Sequence, residues 1–92
     1  MNFGEKSKLV SVIIPTYNRK RLLSRAVKSV LNQSYSNLEC IIVDDASSDE
    51  TREVINSFQD DRIIYFRHEE NKGASAARNT GIKKSQGEFI AF

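Results

Sequence analysis

The feature that most constrains the fold is a repeated alternation between short apolar, β-branched runs and helical stripes. The first run, residues 9–14, is followed by Pro15, which we expect to end a strand. Three more runs occupy residues 38–43, 63–66 and 88–92. Strands separated each time by a helix form parallel sheets with right-handed crossovers. The sequence therefore predicts an α/β fold with βαβαβαβ order, in which a mostly parallel sheet lies between two layers of helices.

Three helices are predicted between these strands. Apolar residues recur at spacings of one, three and four across residues 19–33, and Asn18 stands at the N-cap position. Ser47 and Glu50 fit a capping box that would open the second helix. The third helix, residues 74–84, is rich in small residues, so we expect it to lie close to the sheet.

Length and composition indicate one small globular domain. The 92 residues are 39% hydrophobic and 28% charged. We expect residues 1–8 to be a flexible terminus and residues 9–92 to form the domain. No apolar stretch approaches the roughly 20 residues that span a bilayer, and residues 1–8 lack an apolar signal core. With a single cysteine, Cys40, expected in the core, this predicts a cytoplasmic protein, with peripheral association at the inner face of the membrane left open.

Charge is distributed unevenly, although the net formal charge is only +2. Residues 1–28 carry seven basic residues and one acidic residue, whereas residues 39–61 carry eight acidic residues and one basic residue. Such runs are usually solvated faces; the alternative is that the basic segment attracts an anionic ligand. Aromatic and basic residues do not interleave, so we expect no nucleic-acid partner.

Polar and aromatic side chains follow the carboxyl ends of the predicted strands. Ligands of open parallel sheets bind at this edge, where the strand order reverses. Tyr17 offers a ring for stacking a base, and Asp45 offers an acceptor for the imide N–H of uracil. The helix that follows Asn18 presents free N–H groups to phosphate, and Lys72 or Arg78 can place a cation beside a diphosphate. This edge is therefore a candidate nucleotide site.

Each of these residues also has a structural use, and spacing alone does not decide between the two. Pro15 can simply end a strand, and Asn18 can simply cap a helix. Asn71 and Gly73 can form a turn in which glycine supplies a positive φ. His68 stands alone without ligand-like spacing, so we assign it no role. The sequence also lacks the glycine-rich dinucleotide motif, the phosphate-binding P-loop and a nucleophile elbow.

Several blocks, taken in order, resemble the opening of family-2 glycosyltransferases of the GT-A (Rossmann-like) fold. They are VSVIIPTYN at residues 10–18, SVLNQS at 29–34, IVDDASSDET at 42–51, ENKGASAARNTG at 70–81 and GEFIAF at 87–92. The resemblance covers residues 9–92, and it corresponds to the nucleotide-sugar-binding half of such a domain.

The resemblance implies an inverting enzyme that transfers a sugar from a nucleoside-diphosphate sugar, often a UDP-sugar, to a saccharide or other acceptor. It implies that Pro15 and Tyr17 lie against the base, that Asp45 recognises the base edge, and that Asp44 supports that loop. The segment 71–78 would border the nucleotide. The predicted nucleotide-site residues are Pro15, Thr16, Tyr17, Asn18, Asp44, Asp45, Asn71, Lys72, Gly73 and Arg78.

A divalent metal, Mg²⁺ or Mn²⁺, is also implied, held against the diphosphate by an Asp-x-Asp motif. In the family this motif follows the strand that begins at Glu88, so we expect it just beyond Phe92. Asp44 and Asp45 end the second strand and are not that motif. We therefore expect no catalytic residue and no metal ligand within these 92 residues, and no turnover by them alone.

Two other classes of protein share parts of this pattern. A phosphate-switch receiver domain also alternates strands and helices, but its paired acids follow the first strand and its phospho-acceptor follows the third. A non-catalytic nucleotide-binding or assembly module could keep the same motifs as scaffold. We also expect this chain to self-associate into a homo-oligomer through the open edge of the fourth strand.

Overall fold

A computed structural model describes residues 8–92; apart from Lys8, the predicted flexible terminus lies outside the described residues. The predicted βαβαβαβ order is confirmed. The elements are β1 (Val10–Thr16), α1 (Lys20–Leu31), β2 (Leu38–Asp44), α2 (Thr51–Asn56), β3 (Ile63–Arg67), α3 (Ala74–Lys84) and β4 (Phe89–Ala91). None of the helices within residues 8–92 is long and apolar enough to cross a membrane.

The strands of the described region form one parallel sheet in the order β3-β2-β1-β4. On one face, Leu23 and Val27 of α1 and Ile55 of α2 pack in a core cluster with Cys40 and Ile42. A second cluster covers the other face and consists of Ile13, Ile41, Val43 and Ala77 of α3. The expected three layers are therefore present. Every residue of β2 is buried, as expected for a central parallel strand covered on both faces.

Pro15 does not end the first strand, contrary to our expectation. β1 continues through Thr16, and Pro15 pairs in register with Val43 of β2. The carbonyl of Thr16 accepts from the Asp45 N–H on the β2 side, so the backbone of Pro15 faces the β4 side. β4 pairs only with residues 10–12 of β1 and does not reach Pro15. The missing N–H of proline therefore costs no hydrogen bond between β1 and β4.

The predicted helix starts at Asn18 and Ser47 are also wrong. The N-cap residues are Arg19 for α1 and Glu50 for α2, and neither side chain makes a capping hydrogen bond. The Ser47 hydroxyl accepts a hydrogen bond from the backbone N–H of Asn18 at 2.8 Å, so Ser47 links two loops instead of opening α2. Near the start of α2, the Asp49 carboxylate accepts from the backbone N–H of Thr51 at 3.1 Å.

The third helix has the predicted bounds and lies close to the sheet. A Cβ added at Gly81 would stand 2.4 Å from Cγ2 of Ile13, which is far inside van der Waals contact. Only glycine therefore permits this approach of α3 to β1.

A buried polar network at the opposite end of the sheet holds β4 against β1. The Ser11 hydroxyl donates to the Glu39 carboxylate at 2.6 Å and accepts from the Gly87 N–H at 2.8 Å. The same carboxylate accepts from the Gln86 N–H at 2.7 Å. Beyond this network Phe89, Ile90 and Phe92 are exposed large apolar residues.

Candidate functional site

A cleft of about 530 Å³ opens at the carboxyl end of β1. It lies where the helices diverge, because α1 packs on one face of the sheet and α3 packs on the other. Such divergence marks the point where ligands bind in open α/β sheets. Six of the ten predicted residues line the cleft, namely Pro15, Thr16, Tyr17, Asp45, Asn71 and Gly73. An apolar wall is added by Leu22, Leu23, Ala26, Ala74 and Ala77.

Tyr17 and Asp45 contribute two different surfaces to this cleft. Tyr17 is 46% exposed, so its ring is accessible to a flat ligand. Asp45 is 3% exposed and still lines the cleft. Thr16 also lines the cleft, and its hydroxyl is buried and has no hydrogen-bond partner among residues 8–92. The cleft thus combines an open aromatic ring, a carboxylate and an unpaired hydroxyl.

The Asp45 carboxylate is held by three donors from the far side of the cleft. Its Oδ1 accepts from His68 Nδ1 and from the Lys72 backbone N–H, each at 2.8 Å. Its Oδ2 accepts from the Gly73 backbone N–H at 2.8 Å. Burial raises the pKa of Asp45, but these hydrogen bonds favour the ionised form and leave the pKa below its ordinary 3.8. The cleft therefore carries a carboxylate that is ionised at neutral pH.

His68 is a site residue that the sequence analysis missed. It is buried, and its Nε2 lies 2.8 Å from the Thr80 hydroxyl of α3. The register of β2 with β3 could have identified His68, because Asp44 pairs with Arg67. The next residues of the two strands, Asp45 and His68, must then lie side by side.

Asp44 supports the loop after β2, as expected, and does not line the cleft. Its Oδ1 accepts from the Ser47 N–H at 2.8 Å, and its Oδ2 accepts from the Tyr65 hydroxyl. Arg67 Nε lies 4.0 Å from Oδ2. Burial and the bond to Asp44 raise the pKa of Tyr65 to about 12. The hydroxyl therefore remains a donor to this carboxylate at neutral pH.

Besides Asp44, three predicted residues do not bring their side chains into the cleft. Asn18 is turned toward the neighbouring loop, where its Oδ1 accepts from the Ser48 N–H at 2.7 Å. Lys72 contributes its backbone N–H to Asp45, and its side chain is exposed. Arg78 is exposed on α3 and lies outside the residues that line the cleft. The cation at the cleft is instead Arg19, which was not predicted.

The acids beside the cleft do not fit a metal site. Within residues 8–92 there is no group of three or more His, Cys, Asp or Glu side chains placed to hold a metal ion. The carboxylate oxygens of Asp44 and Asp45 already accept from backbone N–H groups, Tyr65 and His68. No metal-dependent step is therefore assigned to these residues.

Comparison with known proteins places the chain in a family. The family model described as glycosyl transferase family 2 matches residues 11–92. A relative from Escherichia coli, "UDP-Glc:alpha-D-GlcNAc-diphosphoundecaprenol beta-1,3-glucosyltransferase WfgD", is 48% identical over 84 residues, which are 91% of this chain and 33% of that protein. A Campylobacter jejuni relative, "GalNAc(5)-diNAcBac-PP-undecaprenol beta-1,3-glucosyltransferase", is 45% identical over 86 residues, which are 90% of this chain and 28% of the relative. The chain thus spans about a third of the length of these relatives.

Solved structures of GT-A glycosyltransferases share the fold. S. aureus TarS (residues 1–349), in complex with UDP-GlcNAc, superposes with a TM-score of 0.83 at 29% identity, over 88% of this chain and 24% of TarS. The mannosyltransferase PcManGT from Pyrobaculum calidifontis, in complex with GDP-Man and Mn²⁺, gives 0.82 at 28% identity, over 90% of this chain and 26% of PcManGT. These similarities confirm the expected α/β fold of the GT-A class.

Proposed function

Since the chain belongs to glycosyl transferase family 2, we propose that it forms the nucleotide-binding part of a glycosyltransferase whose donor is a UDP-sugar. The observation that carries this proposal is the presence of Tyr17 and Asp45 in one cleft at the switch point of the sheet. Family membership also sets aside the receiver-domain alternative.

The base would lie between an aromatic face and a carboxylate. Stacking on an aromatic ring contributes roughly 1–3 kcal/mol per base in single-stranded nucleic-acid complexes, and the exposed ring of Tyr17 is available for it. Asp45 accepts three hydrogen bonds, whereas a carboxylate offers about four acceptor positions. The remaining position is on Oδ2 and suits the imide N–H of uracil. The bond would be charge-assisted and therefore strong.

The diphosphate would lie at the start of α1. No side chain of the described residues caps this helix, so its first N–H groups are available to an anion. The first turn carries no acidic residue, and Arg19 lines the cleft beside it. On this basis we propose Arg19, rather than Lys72 or Arg78, for the phosphate-facing role.

The acceptor and the stereochemistry belong to the same proposal. Both glucosyltransferase relatives are named for undecaprenol-linked saccharide acceptors, and we propose an acceptor of that class at the cytoplasmic face of a membrane. We also propose inversion at the transferred sugar, as the resemblance to family-2 enzymes implies. The Mn²⁺ complex of PcManGT supports a divalent metal in the family. We assign neither a metal ligand nor a catalytic base to this chain.

Titration by NMR tests the proposal directly. UDP added to the ¹⁵N-labelled protein should shift the amide signals of Tyr17, Asp45 and Gly73, which line the cleft. The signals of Glu39 and Gly87, at the opposite end of the sheet, serve as the internal control. Shifts confined to the control end would contradict the proposed site.

A further inference from the structure

The side chain of His68 lies behind the nucleotide cleft and bridges three elements. Its Nδ1 contacts Asp45 Oδ1 after β2, and its Nε2 contacts the Thr80 hydroxyl of α3, each at 2.8 Å. His68 itself follows the last residue of β3. Both His68 and Asp45 are nearly fully buried, so their contact is not competed by water. The ring is also fixed by Phe66, which packs edge-on at a centroid distance of 6.0 Å.

The hydrogen-bond partners determine the direction of each bond. An ionised carboxylate only accepts, so Nδ1 must carry the hydrogen that it donates to Asp45. In the tautomer that carries its single hydrogen on Nδ1, Nε2 accepts from the Thr80 hydroxyl. The order of donation runs from Thr80 to His68 to Asp45. This series of hydrogen bonds fixes both the tautomer and the plane of the imidazole.

We propose that His68 is a positioning residue for nucleobase selection: with the Lys72 and Gly73 N–H groups it fixes the Asp45 carboxylate so that one Oδ2 acceptor position remains for the base. The proposal rests on the proposed function. His68 and Lys72 both donate to Oδ1, while Gly73 donates to Oδ2. Without His68, the carboxylate keeps one backbone donor on each oxygen, and an acceptor position of Oδ1 also becomes free.

A fixed acceptor separates uracil from cytosine. Uracil carries an N–H at ring position 3, whereas cytosine carries a lone pair there. A carboxylate held opposite this position gains a charge-assisted bond with uracil and meets a repulsive lone pair with cytosine. A carboxylate with a second free acceptor position, on Oδ1, could instead accept from the exocyclic amine of cytosine. The predicted effect of His68 is therefore on the ratio of UDP to CDP affinity.

The experiment compares dissociation constants of UDP and CDP for the protein and four variants. The wild-type protein should prefer UDP by about tenfold or more, the scale of one charge-assisted hydrogen bond. His68→Leu removes the Nδ1 donor and should bring the ratio close to one. His68→Asn places an amide N–H near the position of Nδ1 and should restore most of the preference. Thr80→Val removes the donor to Nε2 and should lower the ratio partially.

Ser11→Ala is the matched control for a loss of stability. It removes a buried hydrogen bond to a carboxylate, that of Glu39, at the far end of the sheet. It should leave the UDP to CDP ratio unchanged even if it lowers the unfolding midpoint. A merely structural role for His68 predicts the same behaviour for His68→Leu.

The outcomes separate the two proposals. If the wild-type protein shows no preference for UDP over CDP, the proposed recognition of uracil is contradicted, and with it the proposed function. If it prefers UDP and His68→Leu keeps that preference, the positioning role is overturned. If His68→Leu does not fold, Thr80→Val decides: an unchanged UDP to CDP ratio overturns the role, and a lowered ratio supports it.

Discussion

The backbone N–H of Ser48 donates to Oδ1 of Asn18 at 2.7 Å and joins the loops that follow β1 and β2. The same oxygen accepts from the Asp49 N–H at 3.3 Å, and the Asn18 N–H donates to the Ser47 hydroxyl. Asn18 has a positive φ of 51°, a conformation that asparagine tolerates better than most residues. One side chain thus holds the loop that carries Tyr17 beside the loop that carries Asp45.

Two substitutions of Asn18 should each lower the stability of the protein, and together they separate two contributions of this residue. Asn18→Gly keeps the positive φ but removes the Oδ1 acceptor, and it should lower the free energy of unfolding by about 1–2 kcal/mol. Asn18→Ala also removes the acceptor and, unlike glycine, keeps a Cβ in the left-handed conformation, so it should cost about 1 kcal/mol more than Asn18→Gly. Urea denaturation of the three proteins measures both steps. Equal stability of the Gly variant and the wild type would contradict the loop-joining role.

The low pKa of Asp45 predicts a specific dependence of stability on pH. The folded-state pKa lies below 3.8, so the ionised carboxylate stabilises the fold above that value and the contribution is lost as the pH falls through the folded pKa. Asp45→Asn should therefore be less stable than the wild type at neutral pH, and the difference should shrink in acid. Thermal unfolding from neutral pH down to about pH 2 measures it. A difference that stays constant over this range would contradict the assignment.

Gly81 should not tolerate even alanine. The added Cβ would stand 2.4 Å from Ile13 Cγ2, and overpacking of this kind costs about 1–3 kcal/mol. The better helix propensity of alanine offsets at most about 1 kcal/mol of this. Ile13→Ala removes the clashing methyl, so Gly81→Ala should cost less in that background. An identical cost in both backgrounds, measured by denaturant unfolding, would show that the contact is not the cause.

The acids after β2 should not bind a divalent metal. Both carboxylates are engaged by protein donors, Asp44 by Ser47 and Tyr65, and Asp45 by His68. Mn²⁺ added alone should therefore leave the amide signals of Asp44 and Asp45 no more broadened than those of buried residues elsewhere. Preferential broadening at these two residues would overturn this description of the site.

The regular elements could be predicted from sequence because their signals are local. The bounds of α3 were predicted correctly, since a turn at Gly73 and a run of small residues define it within the segment itself. The strands were found from β-branched runs, and most errors lie at their ends. Pro15 was misjudged because its effect depends on which neighbouring strand faces its backbone, and that is a property of the sheet.

The contacts that complete the site could be predicted less well because they join distant segments. Asn18 was placed correctly at a strand end, but nothing local shows that its oxygen serves the loop at Ser48. His68 has no ligand-like spacing, and its partners are 23 and 12 residues away. Only the register of β2 with β3 could have paired it with Asp45.

The dissociation constant of UDP for Tyr17→Ala, measured beside Tyr17→Phe, tests the central claim most directly. Tyr17→Phe keeps the ring that lines the cleft and should bind within about twofold of the wild type, whereas Tyr17→Ala should bind about tenfold or more weakly, as expected for a lost base stack. Equal affinity of the alanine variant and the wild type would contradict a nucleobase site built on Tyr17 and Asp45.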